Sequence, residues 1–112
     1  MEAVDPPFIR LSIIERIERM APNRGTAFLT AYKLASGEPS MLGRDPTTGK
    51  LWTEVRRNFI RRHTAQARTL REGFWTKAGA PTPRHLALLM WAFTPTPERT
   101  AAWLRGMRTS WR

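Results

Sequence analysis

The chain has 112 residues and carries 19 Lys and Arg against 9 Asp and Glu, a formal net charge of +10. Hydrophobic residues make up 41%, enough for one packed core in a small domain. The absence of cysteine excludes thiol nucleophiles, disulfide frameworks, thiolate zinc sites and iron–sulfur clusters, and it fits a reducing compartment such as the cytoplasm.

The chain opens Met1-Glu2-Ala3-Val4-Asp5, acidic and followed by two prolines, which is not the pattern of a secretory signal. Asp5-Pro6 reads as a helix cap followed by a first-turn proline, whose missing N–H would be unpaired there anyway. Ile9, Ile13, Ile17 and Met20, with Ile14 beside them, recur at helical spacing and predict a helix over 7–20. Residues 9–13 also alternate like a strand, but the Glu-Arg-Ile-Glu-Arg run after them favours helix. Ala21-Pro22 should end it. A second helix is predicted over 24–35, burying Phe28, Ala31, Tyr32 and Ala35 and stopped by Gly37. The two should pair as an antiparallel hairpin.

Residues 43–50, Gly-Arg-Asp-Pro-Thr-Thr-Gly-Lys, are a turn signal: Pro46 presets its φ and Gly49 tolerates a left-handed one. Short arms at 40–44 and 50–53 either pair as a small β-hairpin or form a plain irregular loop.

Basic and acidic residues balance through residue 49, so the whole net charge falls in residues 50–112. A long helix is predicted there, over 52–72. Trp52, Val55, Phe59, His63, Ala67, Leu70 and Phe74 share one side at about 100° per residue and form the expected buried stripe. Roughly opposite stand Arg57, Arg61, Thr64, Arg68 and Arg71, and Lys50 extends the line. From Arg57 to Arg71 this row is about 21 Å long at about 1.5 Å per residue, long enough to meet several phosphates. No carboxylate between 55 and 71 neutralises it. The alternative is a solvated face, or one paired with Glu2, Glu15 or Glu18. Arg56 falls inside the apolar arc, where its stem could lie along the core with the head reaching water or a carboxylate.

Gly79-Ala80-Pro81 breaks the chain, and Thr82-Pro83 launches a helix to about residue 93. Its apolar run, 86–93, is far shorter than the roughly 20 residues a membrane span needs. Thr96-Pro97-Glu98 opens a last helix over 97–107, with residues 109–112 expected to fray. Together these two resemble a helix-turn-helix, in which Arg99, Arg105 and Arg108 would be a second anionic contact surface. The turn, however, lacks the usual glycine, and Thr100 stands where a branched aliphatic is common. A plain helical hairpin is the competing arrangement.

All five tryptophans fall in the basic half. Trp52, Trp91 and Trp103 sit at core spacing. Trp75 and Trp111 are the candidates for contact with a partner. His63 reads as a core residue and His85 as a first-turn residue whose protonated form the helix dipole disfavours. Neither has metal-ligand spacing with a carboxylate, and no phosphate-cradling glycine loop or nucleophile triad appears, so no cofactor or metal is implied.

The sequence thus predicts one all-α domain of four or five helices, without catalytic residues. Its expected function is binding nucleic acid, DNA ahead of RNA, through Lys50, Arg57, Arg61, Arg68 and Arg71. The rival is an adaptor, inhibitor or assembly subunit that uses the same face, or the Phe74-Trp75 loop, against an acidic protein. No membrane role is expected. Arginine over lysine, 16 to 3, is also what a GC-rich genome produces without selection for binding, but that bias does not explain the scarcity of acidic residues after position 50.

Overall fold

The computed structural model describes residues 6–20 and 26–110, apart from the side chains of Met20 and of residues 107–110. Five α-helices follow in order: α1 (Leu11–Met20), α2 (Ala27–Leu34), α3 (Trp52–Leu70), α4 (Pro83–Leu89) and α5 (Pro97–Ser110). Among the described residues no strand forms. Of the hairpin and the irregular loop expected near residues 40–53, the loop forms, with one antiparallel bridge between Arg44 and Leu51, and a second bridge joins Trp75 to Pro81.

The first helix starts later than residue 7, and tertiary bonds explain why. Ile9 donates its N–H to the Ala92 carbonyl at 3.0 Å, and its own carbonyl accepts from the Tyr32 hydroxyl at 2.7 Å. The carbonyls of Pro6 and Pro7 accept from Arg56 at 2.8 and 2.6 Å. Residues 6–10 are therefore spent on partners distant in sequence and stay extended. The expected cap, Asp5, lies outside the described residues. So does Arg24, the expected start of the second helix; the described start is Ala27, capped by the Thr26 hydroxyl accepting from the Leu29 N–H at 3.0 Å.

The core joins Ile9, Ile14 and Ile17 to Phe28, Leu29 and Tyr32, and to Trp52, Leu89, Met90 and Leu104. An aromatic column runs through it. Phe28, Trp91, Phe59 and His63 are stacked in succession at centroid distances of 4.9, 4.5 and 4.0 Å. Trp91 is thus sandwiched, and a satellite group of Phe74, Trp75, His85 and Trp103 packs edge-to-face nearby.

A 3₁₀ turn, Pro39–Met41, leads into the 43–50 turn. The Asp45 carboxylate organises that turn: it accepts from the Thr47 N–H at 2.9 Å and the Thr48 hydroxyl at 3.2 Å. Its backbone carbonyl accepts from Gly49, which sits at φ 77°, so the chain reverses and delivers Lys50 to the start of α3.

α3 buries Trp52, Arg56, Ile60 and Ala67, an arc rotated from the expected stripe toward Arg56. Leu70, expected in the core, is 61% exposed. The helix also stops short of residue 72. Arg71 adopts a left-handed conformation (φ 56°), and Glu72 donates back to the Ala67 carbonyl at 2.9 Å. Phe74 is therefore off the helix, and its carbonyl instead receives Thr82 and His85. α4 ends at Leu89 rather than near 93, because Ala92 is left-handed and Phe93 donates back to Leu88. α5 runs past residue 107 to Ser110, so residues 109 and 110 are helical rather than frayed.

Candidate nucleic-acid interface

Among the described residues Arg56 is the one fully buried cation, with 1% exposure. Besides Pro6 and Pro7, its guanidinium donates to the carbonyls of Trp91 at 2.9 Å and Ala92 at 3.2 Å, and it lies 3.6 Å over the Phe8 ring. The sequence suggested a head reaching for water or a carboxylate. Instead the planar fork is matched to a ring of backbone acceptors, and it ties the N-terminal segment to α3 and to the 90–92 turn. Arg56 is therefore architecture and not part of a ligand surface.

The rotation around Arg56 changes what the basic row presents. Arg61 and Arg68 are exposed, about 10 Å apart along the axis. Arg57 is half-buried and has interactions of its own within the chain. Thr64 is also half-buried, its hydroxyl donating to the Ile60 carbonyl at 2.8 Å. Arg71 is exposed but belongs to the left-handed cap rather than to the helical row. Arg62, outside the row predicted from the sequence, is exposed on the other edge of the same solvent half, with Asn58, Ala65 and Thr69 between. Its absence was legible as a phase error: a stripe centred on Phe59 puts Arg62 near the core, whereas one centred on Arg56 and Ile60 puts it in solvent.

Two ion pairs use up acidic groups in the described residues. Glu18 accepts from Lys33 at 2.7 Å, linking α1 to α2. Glu72 accepts from Arg84 Nε at 2.6 Å, which holds its carboxyl below the ordinary range. Arg84 also donates to His63 Nδ1 at 3.2 Å and to Gln66 Oε1 at 3.1 Å, pinning the start of α4 to the end of α3. Among the described residues, Lys50, Arg61, Arg62, Arg68 and Arg71 make no ion pair.

Lys50 does not continue the Arg61–Arg68 line. It meets Arg62 at a cleft of about 240 Å³ between the 43–50 turn and α3, lined also by Thr48, Val55, Asn58, Phe59 and Trp91. Because Phe59 and Trp91 are stacked in the aromatic column, the cleft meets their rims rather than free ring faces. Ring rims carry the positive end of the aromatic quadrupole, so the floor is apolar yet compatible with negative charge.

The other sequence candidates are dispersed. Trp75 is half-buried, edge-on to His85 at 4.7 Å and to Trp103 at 6.4 Å, with the Arg99 guanidinium 5.0 Å over its ring. It is a packed residue with one cation on it and not a free anchor. Arg105 is exposed on α5. The side chain of Arg108 and the whole of Trp111 lie outside the described residues. The helix-turn-helix likeness fails on its connection: residues 90–96 separate α4 from α5, against about 3–4 in that motif.

His85 is fully buried and heads a chain of polar groups. Its Nδ1 donates to the Phe74 carbonyl at 2.9 Å, so its neutral Nε2 accepts from the Thr94 hydroxyl at 2.8 Å; Thr94 in turn accepts from Thr100 at 2.7 Å. Burial pushes the His85 pKa down. Thr100, where the motif wants an aliphatic, is the buried end of this chain. The constellation joins histidine to hydroxyls, but it is sealed from solvent and cannot meet a substrate. His63, on the aromatic column, is also lowered, by burial and then by Arg84 and Arg62.

Among the described residues no cluster of three or more His, Asp or Glu could hold a metal ion, and no helix is long and apolar enough to cross a membrane. The chain matches no protein-family model, no curated protein and no solved structure.

Proposed function

We propose that this is a non-enzymatic nucleic-acid-binding protein that docks polyanionic backbone on the solvent half of α3. The observation that carries the reading is the set of exposed cations, Arg61, Arg62 and Arg68 with Lys50, without an ion pair among the described residues and all on or beside one helix; Arg62 also lies 5.8 Å over the Phe59 ring. Arg61 and Arg68 stand about 10 Å apart along the helix, so each would meet a separate phosphate through a charge-assisted hydrogen bond. Arg71 adds a cation beyond the C-terminus of the helix. Arg57 is set aside as a contact because the fold already engages it.

The test is a titration of duplex DNA, single-stranded DNA and RNA at two salt concentrations. The combined change of Arg61, Arg62 and Arg68 to Glu should abolish binding while the helical circular dichroism is retained, since all three side chains are in solvent. Binding that survives those changes overturns the proposed face. A chain that binds no nucleic acid but captures a defined acidic protein belongs to the adaptor class instead.

A further inference from the structure

The cations on α3 are not equivalent. Arg61 and Arg68 project from an open helix surface, whereas Lys50 and Arg62 flank a recess with an apolar floor. A phosphate of an intact duplex can meet the first pair. It cannot fill the recess, because its bases are stacked inside the double helix and only the charged backbone faces outward. An unpaired nucleotide carries an anion and a planar ring together, the combination the recess offers partners for. Its volume, about 240 Å³, lies below the usual range for small-molecule pockets of about 300–1,000 Å³, so it suits one such unit and not a longer stretch.

We propose that this cleft seats one unpaired nucleotide of a single strand. The phosphate lies between Lys50 and Arg62, the base enters against Val55 and the rims of Phe59 and Trp91, and the Asn58 amide meets the polar edge of the base. Thr48 shapes the wall rather than donating, because its hydroxyl is already committed to Asp45. The Asp45 carboxylate is held within the turn by Thr47 and Thr48 and does not oppose the anion at the mouth. This assignment rests on the nucleic-acid reading above and sharpens it: single strands become the preferred ligand.

The experiment measures fluorescence anisotropy of a labelled oligothymidylate and a labelled duplex of equal length, with inorganic phosphate and thymidine monophosphate as competitors. The single strand should bind at least about tenfold tighter than the duplex. Val55→Phe, which fills the floor without changing charge, should erase that preference and leave duplex binding intact. Lys50→Gln with Arg62→Gln, both in solvent, should weaken both ligands but the single strand more, and so erase the preference, if Val55→Phe does not fold. Thymidine monophosphate should compete better than phosphate. Equal affinity for the two ligands, or a preference that survives the cleft variants, overturns the cleft while leaving the α3 face standing. Failure of the unaltered protein to bind any nucleic acid overturns both.

Discussion

Arg56 shows how a single side chain sets the rest. Its four carbonyl partners come from residues 6, 7, 91 and 92, so one guanidinium closes two chain segments onto α3. Ala92 keeps Ile9 as a donor if Arg56 is lost, but Pro6, Pro7 and Trp91 would have to find others. A buried acceptor left unpaired costs about 1–3 kcal/mol. Arg56→Met should therefore lower unfolding free energy by about 3 kcal/mol or more in urea denaturation, a large share of the roughly 5–15 kcal/mol such domains have. Arg56→Lys should lose nearly as much, because a compact ammonium cannot span the same fork. His85 makes a second prediction at this scale. Its pKa is lowered from 6.5 in the folded chain, so below that pH the unfolded chain takes up the proton first. Stability is fully present above pH 6.5 and should fall as the pH drops below it. His85→Leu should flatten this dependence while lowering stability overall, because it strands the buried Thr94 hydroxyl, whose proton loses its acceptor. An unchanged pH slope in that variant would move the effect to the less buried His63.

At the scale of elements, ends were decided less by local signals than by what the chain meets next. Thr82-Pro83 and Thr96-Pro97 start helices where their caps suggest, since a cap acts within one turn. The chain instead leaves α3 at Arg71 and turns away after α4 at Ala92, non-glycine residues in left-handed conformation, although Gly73 stands close by. That strain has a measurable consequence. Arg71→Gly should raise stability by up to about 1 kcal/mol in thermal unfolding, because glycine takes positive φ without a Cβ clash. The same change removes a cation and should weaken binding to polyanions slightly. A variant that loses stability would mean the Arg71 side chain holds the cap itself.

For the whole molecule, charge is segregated by the fold. Glu18 and Glu72 are engaged with Lys33 and Arg84, which leaves the α3 surface without those two counter-charges. If Lys50, Arg61, Arg62 and Arg68 each neutralise one phosphate, log affinity should fall against log salt with a slope of about −3 to −4. Neutralising any one of them to Gln should reduce that slope by about 1. A slope near zero would mean that charge does not drive the interaction.

Composition and periodicity by themselves determined the all-α class, a count of four or five helices, the two Thr-Pro starts, and the placement of all excess positive charge after residue 49. Those properties are local or additive, so they can be read without knowing what touches what. Tertiary structure alone decided the phase of α3, the extended start at residues 6–10, the burial of His85 and Trp75, and the meeting of Lys50 with Arg62. The reason is the same in each case. A buried arginine is indistinguishable in sequence from an exposed one until the carbonyls that satisfy it are brought from elsewhere in the chain, and rotating one helix to reach them moved every other side chain on it.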